Sequence, residues 1–129
     1  MQVQPFLMFT GEAEAAMRFY LEVFPLSEIL EVKHYGPDQA GPEGTVFLAR
    51  FRIAGQTMMC IDSPIRHDFT FTPALSMFVD CDSEVDHARI AAALAEGGTV
   101  LMPLGDYGFS RSFAWVNDRF GVSWQVNLP

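Results

Sequence analysis

The sequence has few basic residues, with 8 Lys and Arg against 16 Asp and Glu and a formal net charge of −8. Nucleic-acid binding needs clustered Lys and Arg to neutralise phosphates, and no such cluster is present. An acidic surface is also repelled by anionic membranes. No long apolar run and no basic-then-apolar N-terminal signal occur. We therefore expect a soluble, cytoplasmic protein with neither nucleic acid nor membrane as a partner.

Cysteine is also scarce. The chain has two cysteines, Cys60 and Cys81, and neither belongs to a CxxC motif. An isolated pair of this kind favours free, partly buried thiols in a reducing compartment. Buried thiols are mostly inert, so Cys60 is a weak candidate for a nucleophile.

Apolar residues, in contrast, are abundant. Hydrophobic residues make up 50% of the 129 residues, and twelve of them are Phe. This composition is typical of a chain with a packed core. The length fits one domain, which we predict over residues 1–129.

The same series of elements is predicted twice. Apolar residues at helical spacing predict a helix in 10–24, and the Ala-rich segment 84–97 predicts a second one, N-capped by Asp82 or Ser83. The other periodic segments predict strands: 2–9, 28–35, 45–53, 57–61, 74–81, 99–105, 109–116 and 122–128. Each half therefore has the order strand, helix, strand, strand, strand.

The two halves form an internal repeat of topology. An offset of 70 aligns Pro5 with Leu75, and an offset of 66 aligns Met59 with Gln125. We predict an α+β fold of two βαβββ modules whose curved mixed sheets surround a central groove. The modules span about 1–62 and about 74–129, with a linker at 63–73. A non-repeating α+β sandwich is the alternative.

Three segments resemble the vicinal oxygen chelate superfamily, which includes glyoxalase, bleomycin-resistance proteins and dioxygenases. They are 6-FLMFTGEAEAAMRFYLEVFP-25, 35-YGPDQAGPEGTV-46 and 118-DRFGVSWQV-126. Within that superfamily they look like the PhnB-like branch, often labelled demethylubiquinone methyltransferase-like. The resemblance implies the glyoxalase-like fold and a homodimer. No GxGxxG motif follows a strand, so the sequence offers no recognisable S-adenosylmethionine site.

The resemblance also implies four inward strand positions that bind metal in the metal-dependent relatives. They fall here on Pro5, Met59, Leu75 and Gln125. Pro and Leu offer no donor atom, the Met thioether is soft, and one Gln cannot hold a divalent ion. We therefore expect no metal and no cofactor.

The groove is expected to be apolar, with Gln125 as its polar anchor. Alternation along the strands places Trp124 on the opposite face from Gln125 and leaves the face of Trp115 open. The residues predicted to bind a small ligand are Leu7, His34, Met59, Leu75, Met77, Trp115 and Gln125.

Three functions stay open at this point. The first is a metal-free protein that binds a small apolar or aromatic ligand. The second is a lyase, isomerase or dioxygenase-type enzyme that uses His34 or His67 as acid or base. The third is a structural or regulatory partner protein without a ligand. His67 lies with Phe69 and Phe71 in the linker, which could close as a lid. His87 is expected on the solvated face of the second helix.

Overall fold

The computed structural model describes residues 1–129 as two compact units, residues 1–68 and 69–129. Each unit contains one helix and a four-stranded mixed sheet in the order strand, helix, strand, strand, strand. The boundary falls inside the predicted linker. The α+β class and the repeated βαβββ order are confirmed. Neither helix is long and apolar enough to cross a membrane.

The first unit contains five elements: β1 Phe6–Phe9, α1 Ala13–Val23, β2 Glu28–His34, β3 Val46–Ile53 and β4 Gln56–Asp62. Its strand order is β1-β4-β3-β2, with β1 parallel to β4 and the other pairs antiparallel. A two-residue turn joins β3 to β4, and both of its residues, Ala54 and Gly55, have positive φ. This conformation matches the twist of the strands it connects.

Alternation along β3 and β4 separates the two faces of the first sheet. One face contributes buried residues such as Ala49, Phe51 and Cys60, and α1 contributes Met17 and Tyr20, all fully buried. This is the face that α1 covers, as period-two strands and an amphipathic helix require.

A buried carboxylate positions α1. Asp62 ends β4 and is 3% exposed. Its Oδ1 accepts hydrogen bonds from the backbone amides of Gly11 (2.7 Å) and Ala13 (3.0 Å), and its Oδ2 accepts one from Val46 (2.9 Å). Glu12, the N-cap residue, makes no side-chain cap. Asp62 therefore does the capping from a strand 49 residues away.

The second unit contains five elements: β5 Met77–Asp80, α2 Glu84–Ala95, β6 Thr99–Gly105, β7 Ser112–Asn117 and β8 Ser123–Leu128. Its strand order is β5-β8-β7-β6, with β5 parallel to β8. Ser83 caps α2 by accepting a hydrogen bond from the amide of Asp86 (3.1 Å). An apolar groove of about 260 Å³ between α2 and the sheet is lined by Ala91, Ala114 and Val116, among others, and identifies the face that α2 covers.

His87 on α2 is buried, not solvated as predicted. It is 2% exposed, and its Nε2 donates a hydrogen bond to the carbonyl of Val126 (2.9 Å). The hydrogen bond satisfies a polar group that burial would otherwise leave unpaired. His87 therefore joins α2 to the central strand β8 of its sheet.

The repeat offset at the first strands differs from the predicted value of 70. Leu7 pairs with Cys60 in the first unit, and Val79 pairs with Val126 in the second. With Cys60 aligned on Val126 by the offset of 66, Leu7 aligns on Val79, an offset of 72. This shift decides which side chains stand beside Met59 and Gln125.

Candidate functional site

The sheet of the second unit has one face that α2 does not cover, which we call the open face. The strand register arranges the side chains of β5, β8 and β7 on this face in rows of three. The first row contains Phe78, Gln125 and Trp115. The second row, next to it, contains Asp80, Asn127 and Phe113.

Gln125 stands at the centre of the first row and is half-buried. Its Nε2 donates a hydrogen bond to the Ser76 hydroxyl (2.7 Å). No group of the chain donates to its Oε1. The contact with Ser76 therefore holds the amide in one orientation and leaves a carbonyl oxygen available beside Phe78 and Trp115.

Asn127 is the middle residue of the second row and is 9% exposed. Its Nδ2 donates to Asp80 Oδ1 (2.9 Å), while its Oδ1 is buried and has no hydrogen-bond partner. A buried carbonyl oxygen without a partner costs about 1–3 kcal/mol. The second row therefore contains an unpaired acceptor next to the exposed carboxylate of Asp80.

Aromatic rings surround Phe113 on this side of the sheet. Phe113 lies 4.9 Å from Phe109, 6.1 Å from Tyr107 and 6.4 Å from Phe78, measured between ring centroids. Phe113 itself is buried, while Phe78 is 56% and Phe109 is 63% exposed. Such rings present a broad apolar surface on which a flat molecule can stack.

The two tryptophans lie on opposite faces of the second sheet. Trp115 is half-buried on the open face, and its Nε1 donates to the Ser123 hydroxyl (2.8 Å). Trp124 is 2% exposed, and its Nε1 donates to Asp118 Oδ2 (2.9 Å). The prediction that Trp124 is a packing residue facing away from Gln125 is confirmed.

The predicted orientation of Leu7 and Met77 is wrong. Leu7 is 3% exposed and pairs with Cys60 on the face that α1 covers. Met77 pairs with Trp124, which lies on the face that α2 covers. Pro5 and Leu75 precede the strands, and Leu75 is 71% exposed in a turn.

The side chains that actually adjoin Met59 and Gln125 are Phe6 and Phe78. The four positions are therefore Phe6, Met59, Phe78 and Gln125, in place of Pro5, Met59, Leu75 and Gln125. Neither pair fits a divalent cation: the first unit offers a phenyl ring and a thioether, and the second offers a phenyl ring and one amide. No cluster of three His, Cys, Asp or Glu side chains elsewhere in the chain has an arrangement that could hold a metal ion.

At the N-terminus of each helix, a side chain of the same unit already accepts hydrogen bonds from backbone amides. A dinucleotide-type site uses free backbone amides at the start of a helix. At α1 those amides are occupied by Asp62, and at α2 the first turn is capped by Ser83.

His34 has a carboxylate partner that the sequence did not predict. His34 ends β2, and its Nε2 donates to Glu14 Oε1 (2.6 Å) on α1. Arg18 donates to the other oxygen, Oε2 (3.1 Å). These hydrogen bonds, first from His34 and then from Arg18, hold the pKa of the Glu14 carboxyl below its ordinary value of 4.5.

The lowered pKa of Glu14 predicts an acid-dependent loss of stability. Glu14→Gln should reduce the stability of the first unit at pH 7 by less than about 1 kcal/mol, because the group is near the surface. The contribution of the carboxylate is full above its unfolded pKa, so the difference from the parent should shrink as the pH falls below 4.5 and through the lowered folded pKa. Urea unfolding between pH 3 and pH 7 measures it, with Glu22→Gln on the same helix as control. A difference at pH 3 as large as the difference at pH 7 would contradict this account.

The remaining candidates lie outside the open face. His67 Nε2 lies 3.2 Å from the Ser63 hydroxyl in the segment after β4. That hydroxyl donates to the carbonyl of Ile65 (2.8 Å), so its proton is already engaged. Cys60 and Cys81 are free and buried, as predicted. Burial raises the pKa of Cys60 to about 12, which makes it a poor nucleophile.

Comparison with known proteins gives three informative structures. The PhnB protein from Bacillus cereus is 48% identical, with 100% of both chains covered and a TM-score of 0.98. Protein PA1353 from Pseudomonas aeruginosa is 31% identical, covering 99% of this chain and 97% of that one, with a TM-score of 0.83. A glyoxylase/bleomycin resistance protein/dioxygenase domain from Frankia shares the fold at 15% identity and a TM-score of 0.62, over 99% and 96% of the chains.

The repeated βαβββ units and these similarities define a glyoxalase-like fold. The family model of 3-demethylubiquinone-9 3-methyltransferase matches residues 1–127. The chain belongs to this family, in its PhnB-like branch.

Proposed function

We propose that the chain binds a small, largely aromatic or apolar molecule on the open face of the second unit, without a metal ion. One observation carries this proposal. Gln125 is held by Ser76 between two aromatic side chains, Phe78 and Trp115, with its Oε1 unpaired. Mostly apolar surfaces with a few fixed polar groups are typical of small-molecule sites.

The chemistry of binding follows from this row of side chains. A flat ligand stacks on Phe78 and Trp115 and gains burial of apolar area. A donor on the ligand reaches Gln125 Oε1 and adds a hydrogen bond worth about 0.5–1.5 kcal/mol. The four positions that bind metal in the metal-dependent relatives are occupied here by Phe6, Met59, Phe78 and Gln125, which supports binding without a metal.

Substitution of Gln125 tests the anchor. Aromatic compounds that raise the melting temperature are first selected by thermal shift, and their dissociation constants are then measured by calorimetry. Gln125→Ala should weaken binding of donor-bearing compounds about two- to tenfold, from loss of one hydrogen bond. Gln56→Ala, at the exposed start of β4 in the first unit, is the matched control and should leave affinity unchanged. Equal affinities for Gln125→Ala and the parent would remove the anchor role.

The His34–Glu14 pair supports a second candidate, catalysis by acid–base chemistry. A carboxylate at 2.6 Å orients the imidazole as a base requires. The test is a panel of lyase and isomerase substrates assayed with the parent and with His34→Gln. Activity that survives this substitution would exclude His34 as the base.

We also infer a cytoplasmic homodimer. Exposed apolar side chains on both units, such as Phe6, Phe47 and Leu104, support association. The free thiols Cys60 and Cys81 support a reducing compartment. Light scattering should give twice the mass of one chain, and a monomer mass at micromolar concentration would refute the dimer.

A further inference from the structure

We propose that the ligand carries a cationic hydrogen-bond donor, such as a primary amine, which binds at Asp80 and Asn127. This inference rests on the proposed function, because it names the class of molecule that the open face accepts. It adds a polar subsite in the second row to the stacking surface in the first row.

The side-chain amides of Gln125 and Asn127 on β8 are oriented in the same way, with the nitrogen toward β5. Each nitrogen is engaged by a residue on or just before β5: Gln125 Nε2 by Ser76 Oγ, and Asn127 Nδ2 by Asp80 Oδ1. Each carbonyl oxygen is left without a partner in the chain. Each of these hydrogen bonds uses one of the two N–H groups of the amide and fixes its orientation, so that the carbonyl oxygen is left as an acceptor without a partner.

The other polar groups of the two rows also favour a ligand that donates hydrogen bonds. Asp80 adds an exposed carboxylate, whose oxygens accept hydrogen bonds. The indole N–H of Trp115 is already donated to Ser123. A carboxylate or phosphate on the ligand would therefore be repelled by the Asp80 carboxylate, whereas an ammonium group that enters between the two side chains would donate to Asp80 and to the buried Asn127 Oδ1. The net charge of −8 favours the approach of a cation as well.

The spacing of the rows sets the length of the molecule. Residues two apart on a strand lie about 7 Å apart on the same face. A ring stacked beside Gln125 thus places an amine at Asp80 when about two carbons separate the ring from the nitrogen. The unpaired Asn127 Oδ1 then gains the donor it lacks.

Three probe compounds of similar length test this polarity: 2-phenylethylamine, 2-phenylethanol and 3-phenylpropanoate. Calorimetry or NMR titration at pH 7 should show the amine binding at least about tenfold more tightly than the carboxylate, because hydrogen bonds between charged groups are the stronger ones. The neutral alcohol should lie between them. If the carboxylate binds as tightly as the amine, the inference is overturned while the proposed site stands. If none of the three binds, the proposed function fails with it.

Two variants locate the cation. Asp80→Asn keeps an acceptor for Asn127 Nδ2, so the fold is retained, and it should weaken amine binding about fivefold or more while leaving the alcohol within twofold. Asn127→Leu should also weaken amine binding. An Asn127→Leu protein that melts higher and binds the amine as before would show that the unpaired oxygen is a structural defect only, and would overturn the inference. Near-UV circular dichroism checks the fold of both variants.

Discussion

Asp62→Ala is expected to lower the free energy of unfolding of the first unit by about 3–5 kcal/mol, a large part of the stability of a small domain. The carboxylate is 3% exposed and accepts three hydrogen bonds from backbone amides. Removing it leaves the amides of Gly11, Ala13 and Val46 without their hydrogen-bond acceptor inside the unit. It also removes the only side-chain cap at the start of α1.

Urea unfolding of Asp62→Ala, monitored by far-UV circular dichroism, measures this effect. Both tryptophans lie in the second unit, so their fluorescence reports separately on that unit. Asp68→Ala, at an exposed position of the first unit, is the control and should change stability by less than about 0.5 kcal/mol. A loss below about 1 kcal/mol for Asp62→Ala would show that the three amides find other partners.

Gly98→Ala should destabilise the second unit by more than about 3 kcal/mol. A Cβ at this position would lie 2.1 Å from the carbonyl oxygen of Asn117 and 2.9 Å from the carbonyl carbon of Asp118. Both contacts are with backbone, so no side chain can rotate away. Asp118 also accepts hydrogen bonds from the amides of Phe120 and Val122 and from the Trp124 indole. The clash therefore acts on the turn that sets the register of β8 and with it the position of Gln125.

Gly36→Ala is the matched control for this clash. Its added Cβ would meet only the Gln39 side chain, at 3.8 Å, and its φ is not in the left-handed region. It should be neutral or slightly stabilising, because Ala restricts the unfolded chain. Thermal unfolding of both variants decides the matter. If the Gly98→Ala protein has the same melting temperature as the parent, β6 can move away from β7 at little cost in free energy.

Local sequence patterns were enough to predict the elements of both units. Helical spacing of Ala16, Met17 and Tyr20 identified α1, and the alternation in 45–53 identified the hairpin of β3 and β4. A short connection fixes the pairing of neighbouring antiparallel strands. The offset of 66 relates Cys60 on β4 to Val126 on β8, whereas their partners Ala49 on β3 and Ala114 on β7 differ by 65. The placement of Trp115 and Gln125 side by side follows from that pairing.

The pairing of β1 with β4 and of β5 with β8 was not predictable in the same way. These strands are parallel, lie about fifty residues apart and share no turn that sets their register. A slip by an odd number of residues moves every side chain to the other face. This is why Leu7 and Met77 were assigned to the ligand face, and why Phe6 and Phe78 were missed.

Long-range polar contacts were missed for a related reason. Asp62 caps α1, Glu14 binds His34, and Asp80 binds Asn127, across 20 to 49 residues of sequence. No local spacing predicts such contacts, because they depend on how the strands assemble. The second row of the open face was consequently absent from the predicted site, although Gln125 in the first row was included.

NMR of the two tryptophan indoles tests the ligand site most directly. The protein has two Trp residues, and their Nε1–H groups lie on opposite faces of the second sheet, Trp115 on the open face and Trp124 buried on the α2 side. Titration with an aromatic compound that raises the melting temperature should shift the Trp115 indole signal and the Gln125 side-chain amide, and leave the Trp124 signal in place. A saturating titration that moves the Trp124 signal and not the Trp115 signal would contradict the proposed site.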